Sequence, residues 1–199
     1  MGVNLIFILF NNTFLRPTLI LMAVAIPVWF IIRMAFRRRI PGLTISFGRE
    51  FLYFVFFMYL IALAAITVVP LSFALHRVPG EQDINMIPFK SILNSIRHTR
   101  KTFRPAMLFE NMFGNIVLFL PLGFLLPLIL KKTKEFSGIF LAGFFGSAAI
   151  ECIQYIERSF GVYRSVDIDD VILNTFGAIL GWVLLSAYLS FSRVKTKPV

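Results

Sequence analysis

Apolar residues in this chain run in five long blocks, and polar residues gather in the gaps between them. The blocks cover residues 17–36, 51–75, 111–130, 136–156 and 171–192. A helix needs about 20 apolar residues to cross the hydrocarbon core of a bilayer, so each block predicts one spanning helix. Block 51–75 carries no charge, and neither does 171–192. Block 111–130 is also uncharged but contains Pro121 and Pro127, and block 136–156 holds a single charge, Glu151. The first block is interrupted late by Arg33, whose long stem is expected to snorkel to the interface. The short run Asn4–Phe10 cannot span alone and is expected to anchor at the interface. A long polar loop, 76–110, separates spans two and three. Within it Phe89, Ile92, Leu93 and Ile96 follow helical spacing, with Lys90, Ser91, Asn94, Ser95 and Arg97 on the other face. This predicts a short amphipathic helix, either lying in the headgroup layer or packed on the bundle.

Composition agrees with the pattern. Of 199 residues, 58 % are hydrophobic and only 15 % charged, where soluble domains run near 45–50 % and 25 %. A soluble domain of this length has too little interior to hide so much apolar surface. The predicted fold is an all-α integral membrane protein with about five transmembrane helices. Residues 1–50 form an N-terminal region with the first span, 51–192 a membrane domain, and 193–199 a basic tail. The single cysteine, Cys152, rules out an intrachain disulfide and reads as a small buried hydrophobe. His76 and His98 lie outside the apolar blocks and do not form a metal motif, so neither metal nor cofactor is expected.

The net charge of +10 sits in short blocks beside the spans, which reads as topology signalling and contact with anionic headgroups, not nucleic-acid binding. Eleven basic residues fall on one side, including Arg37-Arg38-Arg39 and Lys131-Lys132 hard against spans, and nine on the other. The positive-inside rule then puts the N-terminus outside and the C-terminus in the cytoplasm. With that orientation the polar residues of spans three to five share one level, the outer leaflet. They are Asn115, Glu151, Gln154 and Asn174, with Arg164, Asp167, Asp169 and Asp170 in the loop before span five.

Each of these has a structural and a functional reading. A carboxylate inside a span is costly, so Glu151 needs a cation, a proton or a wet cavity. Arg158 or Arg164 would serve as a structural partner; a ligand or a reacting group is the alternative. Ser147, Glu151, Gln154 and Arg158 share one helix face, so that face meets protein or water. Asn115 and Asn174 either bond across helices or line a site. Asp167, ahead of an apolar run, reads as a helix N-cap with Asp170 in the acidic first turn. Gly177-x-x-x-Gly181 and Gly143-x-x-x-Ser147 are close-packing surfaces, and they predict that spans four and five meet through them.

Four boxes in order carry a family resemblance. They are Asn85-Met-Ile-Pro-Phe89, then Asn115-x-x-x-Phe119-x-Pro121-x-Gly123-Phe, then Glu151-x-x-Gln154. The last is Arg164-x-x-Asp167-x-x-Asp170-x-x-x-Asn174-x-x-Gly177-x-x-x-Gly181. Over about residues 85–185 the chain resembles the VanZ-like family. The resemblance implies a multi-pass protein of the bacterial cell envelope, linked to low-level resistance against the lipid-tailed glycopeptide teicoplanin. It singles out Asn85, Pro88, Phe89, Asn115, Glu151, Gln154, Arg164, Asp167, Asp170 and Asn174 as one candidate polar cluster. Membrane lipids are the expected partners, with a lipid-linked cell-wall component or a glycopeptide as ligand. The alternative is an intramembrane enzyme on a lipid-linked substrate, with Glu151 as its acid or base. Oligomeric state is open.

Overall fold

A computed structural model describes residues 15–39, 46–68, 84–102, 105–160 and 165–195. The run Asn4–Phe10, His76, Arg164 and the part of the second block beyond Val68 lie outside the described residues. The helices among the described residues are α1 Leu15–Arg39, α2 Phe47–Thr67, α3 Lys90–Thr102, α4 Pro105–Ile129, α5 Phe136–Arg158 and α6 Ile168–Lys195. A 3-10 turn, Lys131–Lys134, joins α4 to α5. Five of the six, all but α3, are long and apolar enough to cross a membrane. The α1 helix runs through Pro27, and α4 runs through Pro121 and Pro127. Such prolines are tolerated in spanning helices because neighbouring groups take up the freed backbone carbonyls.

The distribution of side chains is that of a protein solvated by lipid. Phe145 and Phe191 are 62 % and 73 % exposed, while Ser147, Asp169 and Asn174 are buried. A water-soluble protein does not leave so much apolar surface open. This chain is a multi-pass membrane protein.

Two compact units divide the chain, residues 1–76 and 77–199. In the first, α1 and α2 pack through Trp29, which meets Phe57 at 5.1 Å and Phe54 edge-on at 6.0 Å between ring centres. Arg33 does not simply snorkel. Its guanidinium pairs with both carboxylate oxygens of Glu50 on α2, with Nε 2.9 Å from Oε2. Both side chains are only 16 % exposed, and the charges are tolerated there because they are paired and hydrogen-bonded.

In the second unit α6 packs most extensively on α4 and next on α5. Phe119, Leu122 and Leu126 of α4, Ile139 of α5, and Val171, Leu173, Ala178 and Leu185 of α6 form its core. The glycine stripe of α6 has a different partner from the one expected. A Cβ at Gly177 would overlap the Ile116 carbonyl, and one at Gly181 the Leu120 carbonyl, both on α4. Span five therefore presents Gly177 and Gly181 to span three. Span four meets α6 on another face, where a Cβ at Gly143 would crowd Ala178 and Thr175. Spacing of small residues announces a close approach but not its partner.

The α3 helix also differs in its covered face. Ile92 and Ile96 are half-buried as expected, but so are Ser91 and Ser95, whereas Phe89 and Leu93 are about half exposed. Its N-terminus is tied down by a two-residue parallel ladder. β1 (Ile84–Asn85) pairs with β2 (Val166–Asp167), Ile84 opposite Val166 and Asn85 opposite Asp167. Two residues are too short to show any periodicity, so no strand was expected there.

Candidate functional site

The ladder lies at the end of the second unit where α4 and α6 begin and α5 finishes. Asp167 is the N-cap of α6. Its Oδ1 accepts from the Asp169 backbone N–H at 2.9 Å, which satisfies one of the donors a helix start leaves open. The same oxygen accepts from Asn85 Nδ2 at 2.9 Å. Asn85 uses its whole amide. Nδ2 also donates to Ser91 Oγ at 3.1 Å, and Oδ1 accepts from the Ile87 N–H at 3.2 Å, folding the Asn85-Met-Ile-Pro-Phe89 box into an Asx turn. Pro88 and Phe89 form the exposed tip of that turn, and Phe89 holds a positive φ of 65°.

That φ is unusual for a bulky residue and needs an anchor. Asp169 supplies it. The carboxylate, 1 % exposed, accepts from the backbone N–H of Phe89, and from those of Ser91 at 2.8 Å and Ile92 at 3.1 Å. Ser91 and Ile92 occupy the N2 and N3 positions of α3, the donors an N-cap side chain ordinarily satisfies. Asp169 thus caps α3 from another helix, with the opposite charge to the α3 dipole's positive end. From the sequence Asp169 reads as one of the acids in the loop before span five, with no role in α3. The missed signal was the start of α3 itself. Phe89 stands where a Ser, Thr, Asp or Asn should be, so the cap had to come from elsewhere.

Glu151 is buried on α5. Its Oε2 accepts from the Asp167 N–H at 2.9 Å, and it makes no ion pair among the described residues. Arg158 is not its partner, and Arg164 lies outside the described residues. Asn115 of α4 donates its Nδ2 to Asp170 Oδ1. Asn174, 3 % exposed, donates Nδ2 to Ser147 Oγ at 2.8 Å, tying α6 to α5, while its Oδ1 has no partner among the described residues. Gln154 sits half-buried one turn beyond Glu151. Asn85, Asn115, Glu151, Asp167, Asp170 and Asn174, drawn from four segments of chain, therefore fall into three hydrogen-bonded groups, Asn85–Asp167–Glu151, Asn115–Asp170 and Asn174–Ser147. Among the described residues no three His, Cys, Asp or Glu side chains are arranged to hold a metal ion. The acids here turn toward separate amides.

A cleft of about 670 Å³ opens beside the network. Ile84, Met86, Ala148, Tyr155 and Ile156 give it apolar walls, and Glu151 and Asp167 are its acidic members. Cys152 also lines it and is exposed, not buried as its apolar neighbours suggested. Its size falls within the range of about 300–1,000 Å³ usual for small-molecule sites. Chemically, a wall of this kind takes an apolar tail along its length and a donor-bearing group at the carboxylates.

The far end of the unit is basic. Lys131, Lys132 and Lys134 are exposed on the 3-10 turn, and Trp182 of α6 donates its indole N–H to the Lys134 carbonyl at 2.9 Å. Acidic and amide groups hold one end of the bundle and lysines the other.

Neither a curated protein nor a solved structure matches this chain. A family model described as VanZ/LLP1 matches residues 52–190, a stretch that includes all four motif boxes and both strands of the ladder. By that match the chain is a member of the VanZ/LLP1 family.

Proposed function

We propose that this protein works at the outer leaflet of a bacterial cell membrane, N-terminus outside and C-terminus in the cytoplasm. There it engages a lipid-tailed envelope component or lipoglycopeptide and lowers susceptibility to teicoplanin. The observation that carries the reading is the apolar cleft with the buried Glu151 carboxylate in its wall. An acyl chain suits the walls. Hydroxyl, amide or ammonium donors of a headgroup suit Glu151, Gln154 and the amide–carboxylate network, and Arg164 meets an anionic group. On this reading the tail is required, and glycopeptides that lack one are not engaged.

A second reading rests on Glu151 itself. A carboxylate held at one oxygen beside an open cleft is suited to proton transfer on a lipid-linked substrate. Glu151→Gln keeps the shape and an acceptor for the Asp167 N–H but removes the charge and the proton chemistry.

The test is susceptibility in a teicoplanin-sensitive Gram-positive host without a homologue, at matched membrane levels of wild type, Glu151→Gln and Arg164→Ala. Wild type should protect against teicoplanin and not vancomycin, and both variants should lose that protection while eluting as monodisperse folded protein. A well-expressed wild type that leaves both drugs equally potent overturns the lipoglycopeptide reading.

A further inference from the structure

The first unit carries a second cleft, of about 850 Å³, between α1 and α2. Its walls are apolar, from Phe30, Met34, Phe47 and Phe51 among others, and its lining holds three guanidinium groups, Arg33, Arg37 and Arg38, against one carboxylate, Glu50. Arg33 is the committed one. It is bound to Glu50 and lies over the rings of Trp29, Phe36 and Tyr53 at 5.3–5.7 Å. Arg37 reaches Glu50 with one nitrogen at 3.3 Å and remains 61 % exposed. Arg38 is exposed and makes no ion pair among the described residues. The lining therefore carries an excess of two positive charges beside greasy walls, at the end of two helices long enough to span. Exposed guanidinium groups beside an apolar wall attract an anion that also carries an apolar tail.

We propose that this cleft binds one anionic glycerophospholipid, its phosphate between Arg37 and Arg38 and an acyl chain along Phe30, Met34 and Phe51. Arg33 and Glu50 form the floor that fixes the distance between the helices. The α1 helix, Phe47, Glu50 and Phe51 precede the stretch matched by the family model, and Phe54 of the lining falls inside it.

Trp29 lines the cleft and reports its occupancy. The chain has two tryptophans, so Trp182→Phe leaves Trp29 as the sole tryptophan, excited selectively at the red edge of its absorption. The full-length Trp182→Phe protein in neutral detergent is titrated with phosphatidylglycerol or phosphatidylcholine carrying brominated acyl chains, and quenching is read. Anionic membranes favour each nearby basic residue by about fivefold, so two arginines predict half-quenching by phosphatidylglycerol at about 30-fold lower mole fraction. Arg37→Gln with Arg38→Gln should reduce that preference to near unity, and Arg38→Lys should retain most of it. Lys131→Gln with Lys132→Gln, which removes equal charge from the other unit, should leave it unchanged. Equal quenching by the two lipids overturns the proposal, as does a preference that survives the double arginine change. Loss of the preference in the lysine variant would make it a property of overall charge and overturn the site. Displacement of the lipid by equimolar glycerol 3-phosphate would make it a free-phosphate site and overturn the lipid assignment.

Discussion

Asp169 shows how one buried carboxylate can determine where a neighbouring segment sits. Its two oxygens accept from three backbone N–H groups at the start of α3, and nothing local to α3 replaces them. Hydrogen bonds to a charged group are worth about 1.5–3 kcal/mol each, and the donors left behind are costly when water cannot reach them. Asp169→Ala should therefore destabilise the second unit by about 2–4 kcal/mol, read as a lower melting temperature in detergent. Amide exchange should accelerate specifically at Phe89, Ser91 and Ile92. Asp169→Asn keeps one acceptor oxygen and should lose about half as much. Unchanged exchange at those three amides would show that the cap is not what holds α3. At this scale the sequence was informative where a residue acts on its own segment and silent where it acts across the fold. Asp167 was legible as an N-cap because the cap and its helix are adjacent. Glu151 was legible as a residue in need of a partner, but that partner proved to be a backbone N–H sixteen positions along, which no side-chain pattern records.

Helices are fixed by how near their backbones come, and α4 and α6 come nearest where α6 has no side chain. Gly177 faces the Ile116 carbonyl and Gly181 the Leu120 carbonyl, close enough that a methyl group cannot be added without moving backbone. Overpacking of this kind costs about 1–3 kcal/mol, although alanine in a helix gains up to about 1 kcal/mol over glycine. Gly177→Ala should therefore melt at a lower temperature, with loss of the helix–helix contact outweighing the propensity gain. Gly114→Ala on α4, where a Cβ meets nothing within 4 Å, should be neutral or slightly stabilising. Thermal unfolding of the pair in one detergent checks the signs, and equal shifts would mean that the close approach is not a stabilising contact. The same glycines show the limit of pattern reading for elements. Five spans follow from long apolar runs because the hydrocarbon thickness sets a length that sequence displays directly. Which span meets which depends on the rotation of each helix, and a polar stripe and a glycine stripe on one helix can face different neighbours. On α6 Asn174 turns to α5 while Gly177 and Gly181 turn to α4.

For the whole molecule, the decisive quantity is which end of the second unit faces out. That unit has a polar, carboxylate-rich end built from Asn115, Glu151 and Asp167–Asn174, and a lysine-rich end at the α4–α5 turn. Basic residues beside spans are retained in the cytoplasm, and acids count little in that sorting. The raw excess of eleven basic residues over nine is small, so their position decides the orientation. Lys131, Lys132 and Lys134 lie directly between α4 and α5, in a turn too short to be sorted independently of its helices. The expected arrangement is the carboxylate end outward. Cys152 is the sole cysteine, so Cys152→Ser gives a blank background for labelling. In intact cells a membrane-impermeant maleimide should modify a cysteine placed at His98, exposed on α3, and should spare one placed at Glu135, exposed beside the lysine turn. Permeabilised cells should label both. The converse pattern would turn the Glu151 cleft toward the cytoplasm. No outer-leaflet component or external drug could then reach it, and the proposed function would fail while the family membership and the fold stood.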